Sequence, residues 1–104
     1  MPGQPVRGSA TGRPIMALFD LLGRAWAMGI IWQLEGGPYT FRVLRARCDD
    51  VSPSLLNNRL KELRATSLVA LGPDGYHLTP LGEELLALLK DMGKWSTHWA
   101  KTIG

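Results

Sequence analysis

One cysteine, Cys48, is all the thiol this sequence holds. That excludes an internal disulfide and any cysteine-rich zinc site, and it fits a reducing cytoplasm. Histidine is almost as scarce. His77 and His98 are the only two, and neither has cysteine, histidine or paired carboxylates at ligand spacing, so no metal site is expected. No apolar run is long: Ala25–Leu34, the longest, is about half of what a helix needs to cross a bilayer. No membrane partner is expected, and Arg7 and Arg13 are not followed by the apolar stretch of a secretory signal. Catalytic signatures are missing too. There is no Gly-x-Ser-x-Gly, no P-loop, no glycine-rich dinucleotide turn and no Cys–His dyad with an orienting group. Glu83 and Glu84 are adjacent on a helical pattern, so they point about 100° apart and do not converge on one substrate. The chain is not read as an enzyme, and no cofactor is implied.

What the sequence does have is a mild surplus of positive charge. Its 12 Lys and Arg against 9 Asp and Glu give +3 and a pI near 9.4, which permits a nucleic-acid partner without demanding one. The surplus is localised. Residues 24–64 hold seven basic and four acidic side chains, an excess of three that equals the net charge of the whole chain. At 104 residues, with 45% hydrophobic and 20% charged residues, the chain is expected to be one folded domain. Residues 1–14 are rich in Gly, Pro, Ser and Thr and read as a flexible tail, which leaves 15–104 as the domain.

Helical spacing begins at Ile15, Leu18, Phe19 and Leu22, with Gly23 as the stop. A second helix is expected from Arg24 through Leu34, with Trp26, Ile30, Ile31 and Leu34 as a buried stripe and Gly29 marking a close helix contact. Glu35-Gly36-Gly37-Pro38 ends it. Tyr39-Thr40 forms a brief extended piece, and Thr40 caps a third helix from about Phe41 to Cys48 whose outer faces carry Arg42, Arg45 and Arg47. After Asp49-Asp50-Val51 comes the clearest start signal in the chain. Ser52 is an N-cap, Pro53 suits the first helical position, and Leu56, Leu60 and Leu63 fall on one face. Opposite them lie Ser54, Asn58 and Lys61, with Asn57 and Glu62 on the shoulders. Such a helix suits DNA reading, and the same pattern suits an ordinary surface helix. Two short apolar runs around Gly72-Pro73-Asp74-Gly75 predict a hairpin. Thr79-Pro80 then opens a long helix on which Leu81, Leu85, Leu88, Met92, Trp95 and Trp99 recur at heptad-like spacing, and Gly93 is a candidate break. The order predicts a mainly α fold with a small β-hairpin wing, a winged helix-turn-helix. It carries more apolar surface on its last helix than one copy buries, which points to a homodimer.

Four segments resemble the HxlR-type winged-helix transcriptional regulators, relatives of the MarR group: Leu21–Ile31, Tyr39–Leu44, Ser52–Val69 and Leu78–Gly82. The resemblance covers roughly residues 15–99. It implies a dimeric, cytoplasmic, mostly prokaryotic regulator bound to double-stranded operator DNA, with an effector of unknown identity allowed for. On that reading Arg42, Ser52, Ser54, Asn57, Asn58, Arg59 and Lys61 form the DNA-binding set, asparagine being suited to adenine. Arg59 has an alternative, an ion pair with Glu62 or Asp50. Trp26 and Trp32 are expected in core and dimer packing. Trp95 and Trp99 are expected in dimer packing, with a ligand pocket between subunits as the alternative. The sequence also departs from the family pattern. Ala25 stands where the family has lysine, Ser67 where it has glycine, and Ala70 or Leu71 where a basic residue is common. The wing tip carries Asp74 and no base. The cysteine near the N-terminus that marks the family's redox-sensing members is absent, so thiol sensing is not expected. The acidic wing motivates an alternative function, a winged-helix protein–protein module that has lost operator binding.

Overall fold

A computed structural model of the chain describes residues 13–104; the flexible-tail expectation for 1–14 falls almost wholly outside them. Five helices and one hairpin follow in order: α1 (Pro14–Leu22), α2 (Ala27–Gln33), α3 (Phe41–Arg47), α4 (Pro53–Ala65), β1 (Val69–Gly72), β2 (Gly75–Leu78) and α5 (Pro80–Ile103). The three sequence caps form as expected. The hydroxyls of Thr40, Ser52 and Thr79 accept hydrogen bonds from the amides of Val43, Leu55 and Gly82 at 3.3, 3.2 and 3.0 Å. Each satisfies a donor that the first helical turn leaves unpaired.

The core gathers Ile30, Ile31 and Leu34 of α2, Leu44 and Cys48 at the end of α3, Leu56, Leu60 and Leu63 of α4, and Leu85, Leu86 and Leu89 of α5. The leucines of α4 are at most 1% exposed. Burial of each contributes about 1.5–3 kcal/mol, which fixes which way the helix faces.

The start of α2 differs from the expectation. Arg24 to Trp26 form a turn, the Ala27 amide donates to the Arg24 carbonyl, and Trp26 takes the left-handed conformation at φ 69°. The turn bends α1 from α2 by 81°. Trp26 then lies over Gly29, where an added Cβ would meet the indole Cε3 at 2.6 Å. The close contact at Gly29 is therefore with a side chain one turn away, not with another helix. Gly93 likewise does not break α5, which is continuous over 24 residues. The indole of Trp32 on α2 packs there, at 2.8 Å from where a Cβ would stand.

The hairpin pairs Val69 with Leu78 through Gly72 with Gly75. Tyr39 bridges to the other edge of β2 by exchanging two backbone hydrogen bonds with Tyr76, 2.9 and 2.7 Å long. This ties the wing to the start of α3. Gly75 and Gly82 are fixed by close approach. A Cβ at 75 would run into the Tyr39 carbonyl, and one at 82 into the carbonyl oxygen of Leu68.

Candidate nucleic-acid interface

The turn between α3 and α4 is tight because Asp49 and Asp50 both adopt left-handed φ, 56° and 54°. Aspartate tolerates this conformation better than most residues. Arg45 holds the turn. Its Nε donates to the Val51 carbonyl at 2.6 Å and its Nη2 to the Asp50 carbonyl at 3.2 Å. Arg47 is also committed, with Nε donating to the Gln33 carbonyl at 2.9 Å and the guanidinium stacked 4.5 Å over the Tyr39 ring. Of the three α3 arginines, only Arg42 is exposed without a hydrogen bond or ion pair among the described residues.

On α4 the expected set divides. Ser54, Asn57, Asn58 and Lys61 are all exposed, and none makes a side-chain hydrogen bond or ion pair among the described residues. Ser52 is exposed at the helix start and its oxygen is used as the cap. Arg59 is placed differently. Its Nε donates to the Ala25 carbonyl at 2.9 Å and its Nη1 pairs with Glu62 at 3.2 Å, the side chain being only 17% exposed. The Glu62 ion pair is thus the alternative that the structure displays. Glu62 also receives Arg24 at 2.7 Å, and Arg24 reaches Asp20 at 3.5 Å. The charge and hydrogen bond of Glu62 hold the Arg24 guanidinium above its ordinary pKa. The chain Asp20–Arg24–Glu62–Arg59 ties the α1–α2 turn to the flank of α4. Sequence reasoning missed this network because residues 34 and 38 positions apart carry no periodic signal.

Among the described residues, the cations of 24–64 with no hydrogen bond or ion pair are therefore Arg42, Lys61 and Arg64; Arg45 and Arg47 keep their charge, but backbone carbonyls hold their guanidiniums in place. At the wing tip Pro73 and Asp74 are exposed and offer no positive charge. Cys48 is fully buried. Burial first, then Asp49, push its thiol up to about 11 against the pull of Arg47. No group of three or more His, Cys, Asp or Glu among the described residues is placed to hold a metal. No single helix among them is long and apolar enough to cross a membrane.

A helix, a pinned turn, a second helix with a buried leucine face and an exposed polar face, and an antiparallel hairpin directly after it define a winged helix-turn-helix protein. Residues 21–103 match the model of the HxlR-like helix-turn-helix family, and the chain belongs to that family. It is a transcriptional regulator of the helix-turn-helix type. Among curated proteins it is similar to the transcriptional regulator YvaP of Bacillus subtilis (strain 168), with 32% identity over 77% of this chain and 81% of the relative. It is also similar to YodB of the same organism, with 31% identity over 80% of each. Among solved structures, quinone-bound YodB from B. subtilis superposes with a TM-score of 0.75 at 32% identity, covering 81% of this chain and 96% of that one. A possible HxlR family transcriptional factor from Thermoplasma volcanium GSS1 shares the fold, with a TM-score of 0.74 at 24% identity and 86% of each chain covered.

Proposed function

We propose that the chain works in the cytoplasm as a homodimer that binds a pseudo-palindromic DNA operator through α4. One observation carries the reading. Ser54, Asn57, Asn58 and Lys61 stand exposed, and unpartnered among the described residues, on a helix whose opposite face is buried and whose approach is pinned by Arg45. Such a helix projects donors and acceptors without first having to break internal bonds, as reading base edges in a major groove requires. Arg42 and Lys61 would meet phosphates. Ser52 would hold the helix start and Arg59 its flank, both as positioning residues.

The dimer rests on α5. At 100° per residue, its buried positions (Gly82, Leu85, Leu86, Leu89) and its exposed apolar ones (Leu81, Leu88, Met92, Trp95, Trp99, Ile103) centre on faces about 90° apart. A soluble surface seldom leaves so many large apolar side chains on one stripe, and a second copy covers them. Two recognition helices then meet half-sites about one helical turn apart. A quinone response through a thiol adduct forms no part of this reading, since Cys48 is buried and its thiol holds its proton.

Fluorescence anisotropy with operator-containing promoter fragments tests the reading. Arg42 and Lys61 of each protomer give about four phosphate contacts per dimer, hence a slope of about −4 in log K against log salt. Asn58→Ala should cost about 1–3 kcal/mol of operator affinity with the fold intact. Salt-independent binding, or an unchanged affinity for both Asn58→Ala and Lys61→Ala, would remove α4 as the reader. The base-free wing favours a second reading, a protein–protein module. Retention of no genomic DNA in a selection, with a protein partner recovered by pull-down, would point there.

A further inference from the structure

A cleft of about 240 Å³ lies between α1 and the C-terminal half of α4. Pro14, Ala17, Leu18, Leu21 and Leu68 make its apolar wall, and Asp20, Arg24, Glu62 and Thr66 its polar edge. None of these residues belongs to the proposed DNA-reading set. We propose that this cleft is a binding site for a small, largely apolar amine, and that the amine acts as an effector of operator binding.

The size suits a single ring with a short polar arm, and the wall is apolar enough to hold the ring. The charge decides the arm. The edge carries Asp20, Glu62 and Arg24, and with Arg59 on the far side of Glu62 the four charges balance, so the difference lies in which of them is satisfied. Glu62 is saturated, taking Arg24 on Oε2 and Arg59 on Oε1. Asp20 is not, since its one partner among the described residues is Arg24 at 3.5 Å, beyond a good charge-assisted bond. An ammonium group entering the cleft finds a carboxylate with acceptor capacity to spare, whereas a carboxylate would meet Asp20 and an Arg24 already engaged by Glu62 and Asp20. Thr66 adds a second acceptor at the edge, because its hydroxyl proton is already spent on the carbonyls of Glu62 and Leu63.

The position of the cleft gives it consequence. It touches Arg24 and Glu62, the middle of the chain of contacts from α1 to Arg59 on α4. An amine that drew Asp20 away from Arg24, or wedged α1 from α4, would change how α4 is held from behind while leaving its outer face untouched. The effector role rests on the proposed operator reading; the binding site does not.

The test is an amide-resolved NMR titration of the full chain with benzylamine, with benzyl alcohol and benzoate as matched controls. Saturable shifts at Ala17, Leu18, Asp20, Arg24, Glu62 and Thr66 are expected. Benzoate should produce none, and Asp20→Asn should weaken benzylamine about tenfold, the worth of one charge-assisted bond. Asp20 is exposed, so that variant should fold normally, and an unshifted melting temperature confirms it. Shifts centred on Trp95 and Trp99, equal binding of benzoate, or an Asp20→Asn variant that binds as the native chain would each overturn the site. Saturating benzylamine should change operator affinity at least about threefold in the anisotropy assay, and an unchanged affinity overturns the effector role. Benzylamine bound by a chain that retains no DNA would count against the operator reading alone.

Discussion

Ser67 sits at φ 66°, just past the end of α4. The helix ends there in a Schellman arrangement: the Ser67 amide donates to the Arg64 carbonyl at 3.1 Å and the Leu68 amide to the Leu63 carbonyl at 2.9 Å. Glycine is the usual residue at that position because a Cβ is strained at positive φ. Ser67→Gly should therefore stabilise the protein by roughly 0.5–1 kcal/mol, the relieved strain outweighing the added freedom of the unfolded chain. A rise of a few degrees in Tm by calorimetry would show it, and a fall would mean that the serine hydroxyl holds something. Cys48 gives a second prediction. Its thiol ionises near 9.0 when unfolded and at about 11 when folded. A raised folded pKa means that the stabilisation is complete below pH 9 and is lost between about pH 9 and 11 as the unfolded thiol ionises first. Urea midpoints measured across that range should fall more steeply for the native chain than for Cys48→Ala, and parallel curves would refute the shift.

At the level of elements, the wing is the least equipped part of the DNA-facing side. Asp74→Lys exchanges an exposed acid for a base at a tip that makes no side-chain hydrogen bond or ion pair among the described residues. It should tighten binding to any DNA sequence and steepen the salt slope by about 1 per protomer that gains a phosphate contact. An unchanged slope would place the wing clear of the duplex. The elements themselves were legible in the sequence to different degrees, for physical reasons. Caps and prolines act within one turn, so Ser52-Pro53 and Thr79-Pro80 announced α4 and α5 directly. Leu56, Leu60 and Leu63 lie on one face through period alone, and the polar residues opposite them followed. Trp26 broke the rule because it takes a left-handed backbone in the 81° bend between α1 and α2, a conformation that apolar periodicity does not record. Gly93 misled for a similar reason: glycine marks either a break or a close neighbour, and only the fold shows Trp32 standing there. Arg45, Arg47 and Arg59 looked like footprint because sequence counts charge and cannot see which carbonyl a guanidinium has found.

For the whole molecule, the exposed stripe of α5 is the feature that a single copy leaves unresolved. Leu88, one of its members, is 62% exposed. Leu88→Glu puts a charge into the proposed dimer seam while leaving the core of each copy alone. Analytical ultracentrifugation should then give the monomer mass with an unchanged helical circular dichroism spectrum. Operator affinity should drop at least about tenfold, because each half-site is then bound without the effective concentration supplied by its twin. An unchanged dimer mass would move the seam elsewhere. The joint between α3 and α4 has a different consequence. Because Arg45 donates to the carbonyls of both Asp50 and Val51, the entry into α4 is held by a side chain of α3 and not by the outward residues of α4 itself. Ser54, Asn57, Asn58 and Lys61 can then be exchanged freely, with neither fold nor docking angle disturbed. The chain is in that sense a handle with a replaceable reading face, and a library built on those four positions should yield proteins of equal stability and altered sequence preference.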